Sequence, residues 1–305
     1  MEWQQLLGFY QVARLGSFTR AAHATFRSQS ALSQQIKALE EEFDCLLLER
    51  IGKRRLRLTP AGELVYTFAE NTLQGLRDLQ ETLNEIKGLH KGTLRFAAPF
   101  TTLFHLFRWI IKDYVAQFPQ VRLTILDRSQ EGVIELVKAG EIDFGVALES
   151  LVPRDLMSVR WQPVEMFLMV PKNHPLTRAK RLTMKQLAAY PLILPPRQAG
   201  FRVGPSMEDH LRKAGADYHV ILESSNVELS SLYVELGLGI SFATMVRDQP
   251  GPQNRNLDFI PLRRYFKPDY ISIVMRKDKS LPVYKNAFLA LLFGAVGLEW
   301  PPGTG

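Results

Sequence analysis

Four side chains between positions 30 and 37 could read a nucleic acid: Ser30, Ser33, Gln34 and Lys37. On a helix turning about 100° per residue they oppose an apolar stripe of Leu32, Ile36, Leu39 and Phe43. A merely solvated helix face more often carries Glu–Lys pairs. Hydroxyls and amides both donate and accept, which suits base edges in a DNA major groove, and a lysine suits guanine or phosphate. An ordinary amphipathic helical hairpin explains the same pattern, so the neighbouring segments decide. Five cations follow within eight residues: Arg50, Lys53, Arg54, Arg55 and Arg57. Such a run is ordinarily solvated surface, but beside a polar helix it fits a row of phosphates and a salt-dependent affinity.

The elements that must position these groups are legible. Trp3, Leu6, Tyr10 and Ala13 recur at helical spacing up to Gly16. Ser17 then caps a second helix bearing Phe18, Ala21, Ala22 and Phe26, whose alanines allow close helix approach. After the turn Arg27-Ser28-Gln29, a third helix spans about Gln29 to Phe43. Two short strands, Leu46–Arg50 and Arg55–Leu58, flank the turn Ile51–Arg54. This is the layout of a helix-turn-helix followed by a basic wing.

From Thr59-Pro60, a cap and a first-turn proline, one long helix is expected to about residue 90. Phe68, Thr72, Leu76, Leu79, Leu83 and Ile86 form its apolar seam; Arg77, Asp78, Glu81 and Lys87 lie opposite. The seam needs a partner, either the chain's own domain or a second copy. Beyond Gly92, strands are expected at 93–98, 121–127, 143–148, 164–171, 192–194, 219–223, 239–243 and 270–276. Helices are expected at 102–117, 130–139, 205–213, 227–236 and 282–296. That alternation predicts a parallel α/β sheet.

The chain has 305 residues, 46% apolar and 23% charged, with a net charge of +7: about two soluble domains with a mild bias toward a polyanion. The single cysteine, Cys45, excludes an internal disulfide, and its run Cys45–Leu48 reads as core. No apolar run is long enough for a membrane span, and the start lacks the pattern of a secretory signal, so a cytoplasmic protein is expected. Enzyme motifs fail. Gly237-Leu238-Gly239 is followed by Phe242 where a dinucleotide loop needs glycine, and there is neither a phosphate loop nor a nucleophile elbow. The six histidines lack metal-ligand spacing.

The run Leu15–Gly62 resembles the N-terminal motif of LysR-type transcriptional regulators. It carries Gly16-Ser17-Phe18-Thr19, Ala21-Ala22, Ser28-Gln29-Ser30-Ala31-Leu32-Ser33, Ile36-Lys37, Leu39-Glu40, Arg50 and Leu58-Thr59-Pro60-Ala61-Gly62 in order. Ser30, Asp44 and Leu48 depart from that family's proline, glycine and phenylalanine, and Asp44 is expected to end its helix less sharply. The resemblance implies a winged helix-turn-helix DNA-binding domain at 1–58 and a linker and dimerisation helix at 59–90. A two-lobed, periplasmic-binding-protein-like effector domain follows at 93–305, with lobe I about 93–163 and 268–305 and lobe II about 164–267.

It also implies DNA contacts from Ser17, Thr19, Gln29, Ser30, Ser33, Gln34, Lys37, Arg50, Lys53, Arg54, Arg55 and Arg57. A small-molecule effector would sit at strand carboxyl ends between the lobes, where helix N-termini favour anions. The candidates there are Thr101, Thr102, Ser129, Gln130, Arg197, Gln198, Ser224, Ser225 and Asn226, tools for a small carboxylate or oxyanion, though each could equally be a helix cap or loop residue. Thr101-Thr102 and Tyr233–Gly239 resemble the sulfur-assimilation branch, whose effectors are cysteine precursors and small sulfur oxyanions. The implied partners are double-stranded DNA, a second copy through residues 60–90 with pairing to tetramers, and RNA polymerase; no cofactor or metal is expected.

Overall fold

The computed structural model describes residues 1–51, 55–88, 90–196, 207–224, 226–247 and 255–300. The chain forms two compact units, Met1–Leu89 with Ala139–Glu141, and His90–Lys138 with Ile142–Gly305.

In the first unit, α1 (Trp3–Leu15) stops at Gly16, whose φ of 59° is in the left-handed region that glycine enters without a Cβ clash. The α2 helix (Phe18–Thr25) is capped by Ser17, whose Oγ accepts from Arg20 N at 3.3 Å. The α3 helix (Gln29–Glu42) is capped by Ser28 in the same way, from Ala31 N at 3.1 Å. Antiparallel β1 (Leu48–Ile51) and β2 (Arg55–Leu58) follow, then α4 (Pro60–Ile86), capped by Thr59. Phe9, Val12, Ala21, Ala22, Leu32, Ile36, Leu39 and Leu47 make the core. Two expectations need correction. Cys45 is exposed, because the chain turns there and only Leu47 of the run Cys45–Leu48 is fully buried. Phe43, at the end of the α3 stripe, is 41% exposed.

The second unit is built on β3 (Gly92–Ala98), β4 (Val121–Asp127), β5 (Phe144–Leu148), β6 (Leu156–Pro171), β7 (Leu192–Leu194), β8 (Val220–Glu223), β9 (Ser241–Val246), β10 (Leu257–Pro261) and β11 (Asp269–Arg276). Between them lie α5 (Phe100–Leu106), α6 (Arg108–Gln117), α7 (Gln130–Ala139), α8 (Met184–Ala188), α9 (Met207–Lys213) and α10 (Val227–Glu235), and α11 (Val283–Gly294) follows the last strand. The main sheet runs β10-β6-β11-β5-β3-β4, with β9 also on β6. In this sheet β3 pairs parallel with β4 and β5, and β7 pairs parallel with β8 in a separate two-stranded sheet; β11 returns antiparallel to β5 and β6, so the main sheet is mixed rather than parallel.

The expected helix 102–117 is two helices, broken at Phe107. That ring is fully buried against Phe96, Trp161 and Phe288, and reaching them bends the backbone. The strand expected at 164–171 begins at Leu156. Its first part pairs with β11 around a bulge at Trp161, whose indole donates to Leu292 O at 3.0 Å. Its last part pairs with β9 and β10.

Two buried carboxylates, Asp143 and Glu165, fasten this frame. Asp143 Oδ1 accepts from Lys285 Nζ at 2.8 Å, with Lys279 Nζ at 3.3 Å, and Asp143 Oδ2 accepts from Arg95 N at 2.7 Å. On β6, Glu165 binds Arg247 at 2.7 Å, just past β9, and Arg263, just past β10. Those guanidinium hydrogen bonds, Arg263 first, hold the Glu165 carboxyl below its ordinary value.

Asp143→Ala takes the carboxylate from a lysine that is 1% exposed. Urea titration should show a loss of about 3–5 kcal/mol. Adding Lys285→Met should recover most of it; no recovery would sink the account of the pair.

Candidate nucleic-acid interface and ligand cleft

The polar face of α3 is solvent-facing: Gln29, Ser30, Ser33, Gln34 and Lys37 are exposed, while Leu32, Ile36 and Leu39 are buried. Gln35, between these faces, accepts from Arg27 Nη1 at 2.8 Å and belongs to the scaffold. Thr19 Oγ1 donates to Gln29 Oε1 at 3.4 Å, which joins the starts of α2 and α3. Ser30 shares a hydroxyl contact of 3.0 Å with Ser28, and Lys37 has only an exposed i,i+4 partner, Glu41, at 3.5 Å. Ser17 is half-buried and already serves as a helix cap.

The wing is fixed to the end of α3. Glu40 Oε1 accepts from Leu47 N at 2.8 Å and Leu48 N at 3.1 Å. Thr59 Oγ1 donates to Leu46 O at 2.6 Å and accepts from Gly62 N at 3.0 Å. A Cβ on Gly62 would lie 2.0 Å from Leu47 O, so only glycine lets α4 pass the wing this closely. Asp44 corrects another expectation. Its φ is 49°, Cys45 N donates to Glu40 O at 3.1 Å and Asp44 N to Glu41 O at 3.4 Å. The helix therefore ends as sharply as with glycine, in a Schellman turn. Arg57 is exposed, 3.8 Å from Glu49. Lys53 and Arg54 lie outside the described residues, as do the side chains of Arg50 and Arg55.

At the strand ends of the second unit, Thr101 and Thr102 are half-buried in the first turn of α5. Ser129 is exposed and its Oγ accepts from Gly132 N at 3.2 Å, capping α7. Gln130 Oε1 accepts from Leu148 N at 3.0 Å, tying α7 to β5. Ser224 is buried beyond β8 and donates to Asn226 O at 3.1 Å. Asn226 Oδ1 caps α10, accepting from Glu228 N at 2.8 Å and Leu229 N at 3.3 Å. Arg197, Gln198 and Ser225 lie outside the described residues.

A feature the sequence reading missed joins these elements. His105 on α5 and Glu228 on α10 meet at 2.6 Å, and Glu228 continues to Arg255, which pairs with Glu235 at 3.3 Å. The helices bearing Thr101, Thr102 and Asn226 are thereby brought together; Ser129 and Gln130 lie one strand over, after β4 beside β3. No signal could have exposed a pair 123 positions apart. Among the described residues no cluster of His, Cys, Asp or Glu could hold a metal ion. No described helix is long and apolar enough to cross a membrane.

A family model described as a bacterial regulatory helix-turn-helix protein, lysR family, matches residues 3–63, and one described as a LysR substrate binding domain matches residues 87–296. The HTH-type transcriptional regulator cbl of Escherichia coli K12 is 28% identical over 302 residues, 98% of this chain and 94% of its own, and is a regulator rather than an enzyme. Full-length OxyR from Pseudomonas aeruginosa shares the fold at a TM-score of 0.69 and 23% identity, covering 98% of this chain and 95% of its own. Full-length CbnR complexed with its target DNA does so at 0.59 and 23%, covering 96% and 99%.

Asp44 carries a side chain in the left-handed region. Asp44→Gly should raise stability by about 0.5–1 kcal/mol in chemical unfolding. A loss would mean that the Asp44 side chain itself holds the turn.

Proposed function

We propose a division of labour from one premise: the chain belongs to the LysR family and is a DNA-binding transcriptional regulator whose second domain takes a small-molecule effector. The observation that carries the DNA reading is the exposed polar face of α3 opposite the buried Leu32, Ile36 and Leu39. Ser30, Ser33, Gln34 and Lys37 read base edges in the major groove. Ser17, Thr19 and Gln29 orient the helix on the backbone, and Arg50, Lys53, Arg54, Arg55 and Arg57 neutralise phosphates along the wing.

The effector is a small carboxylate or oxyanion held between the β3–β5 and β7–β9 halves of the second unit. Thr101, Thr102, Ser129, Gln130, Ser224 and Asn226 supply hydroxyls and amides, and Arg197 with Gln198 completes the set. Ser129, Gln130 and Asn226 use their oxygens as acceptors inside the protein. Their O–H and NH₂ groups are the donors an anion needs. Sulfur oxyanions are the first to test. The pair His105–Glu228 lies on the elements that effector binding would draw together, and a ligand shifts them only by binding the two arrangements unequally.

Residues 60–90 pair two copies. Leu64, Phe68, Leu76, Leu79, Leu83 and Ile86 are all exposed along one side of α4, a seam that a second copy covers. Ile221, Leu229, Leu232 and Leu236 are exposed on β8, α10 and its end, a further apolar surface on which dimers pair into tetramers. RNA polymerase is the partner through which the bound complex acts, in the cytoplasm.

The operator comes from selection of genomic fragments on the purified protein. On it, Gln34→Ala should cost about 1–3 kcal/mol and relax base preference at one position. Arg57→Ala should weaken all duplexes alike and lower the salt slope by about 0.9. Two variants indistinguishable from the parent would overturn the assignment. Thermal shift with sulfate, thiosulfate and small carboxylates tests the cleft: stabilisation by one of them, lost in Thr102→Val, is expected.

A further inference from the structure

From Met166 to Met207 the chain contains neither Asp nor Glu. Within that stretch Arg178, Lys180, Arg181 and Lys185 are exposed, and among the described residues none forms an ion pair. Their backbone is firmly held. His174 Nδ1 accepts from Leu176 N at 3.3 Å and Thr177 Oγ1 donates to His174 O at 2.7 Å, which fixes the turn Pro175–Arg178. Thr183 and Gln186 form a capping box at the start of α8. Leu176, Met184 and Leu187 are buried between the cations and plant the segment in the core. Leu176, Met184 and Leu187 face the core, and Arg178, Lys180, Arg181 and Lys185 face solvent.

A fifth cation joins them from a distant part of the sequence. Tyr265 Oη donates to Leu182 O at 3.1 Å, and the exposed Arg264 stands over the Tyr265 ring at 5.7 Å. The flanking acids are engaged: Glu165 by Arg247 and Arg263, Glu208 by the Tyr218 hydroxyl at 2.9 Å. Among the described residues, no ion pair links these acids to Arg178, Lys180, Arg181 or Lys185.

Its composition selects the partner. Protein-docking surfaces concentrate aromatic and aliphatic anchors at their centre. Among the described residues no large apolar side chain between Ile125 and Ile221 is exposed. Cations without apolar anchors suit a regular row of phosphates, where affinity comes from counterion release. We infer that this face of the second unit is an additional DNA-contact surface, binding the phosphates of duplex flanking the operator. The inference rests on the DNA-binding reading above and adds to it a contact outside the helix and wing. The tethered unit meets those phosphates at high effective concentration once α3 is seated.

The test uses the full-length chain and the selected operator in two lengths, one confined to the helix–wing footprint and one extended by about two helical turns on each side, roughly 20 base pairs apiece. The parent should bind the long duplex more tightly and with a steeper salt dependence, by about 0.9 in log–log slope per phosphate neutralised. The combined Arg178→Glu, Lys180→Glu, Arg181→Glu and Lys185→Glu variant should lose that excess and match the parent on the short duplex. The corresponding glutamine variant, gentler on folding, should lose it too. A parent with no length-dependent excess, or a glutamine variant that keeps it, overturns the proposal. So does intact long-duplex binding with lost activation by purified RNA polymerase, which would assign the patch to an acidic protein. Failure of the helix reading itself would show separately, as unchanged short-duplex binding by Gln34→Ala.

Discussion

One strand has to satisfy two neighbourhoods at once. β6 gives its first residues to β11 and its last to β9 and β10, so a single run of peptide groups supplies the ladder to both halves of the second unit. Every unmade backbone bond along it would be a buried, unpaired polar group. This explains its load of local devices: a bulge at Trp161 that turns the strand, an indole that anchors the bulge to α11, and Glu165 clamping Arg247 and Arg263 where the partners change. The strand ends that carry Thr101, Ser129, Ser224 and Asn226 are placed by this shared frame.

The DNA-binding unit follows a different economy. It is too small to bury much surface, so its geometry comes from close approach and capped ends. Ser17, Ser28 and Thr59 each accept a backbone N–H at the start of a helix, and Glu40 accepts two from the wing. The orientation of the wing relative to α3 is thereby set by hydrogen bonds from within the motif. Ser30, Ser33, Gln34 and Lys37 stay exposed and outside the core.

How much of this was legible follows from the range of each interaction. Helix and strand periods are local, and so α1, α3, α7, β4 and β7 stand where Leu6, Leu32, Val133, Val121 and Leu192 imply. Pro163 hid the first part of β6, because a proline argues against a strand; next to the bulge its missing N–H is tolerated. The apolar run across Phe107 concealed a break that only the aromatic cluster explains. Cys45 looked like core because it opens the apolar run Cys45–Leu48, of which the turn at Asp44 leaves only Leu47 fully buried. The pairs His105–Glu228 and Asp143–Lys285 join residues 123 and 142 positions apart, beyond any pattern in a window. For the candidate site, residue types at strand ends were readable, and so was the alternative of helix caps, which Ser129 and Asn226 are; the tie from Gln130 to β5 was not.

The exposed seam of α4 has a further consequence. Six large apolar side chains stand bare on one helix, and a second copy is what would hide them. Under the proposed pairing, dimerisation would precede or accompany DNA binding, and mass action would link the two. Operator occupancy in such a system rises more steeply than the first power of protein concentration, so a modest change in synthesis acts as a threshold. If these leucines pair two copies as proposed, they would also set the copy number at which the regulator begins to act.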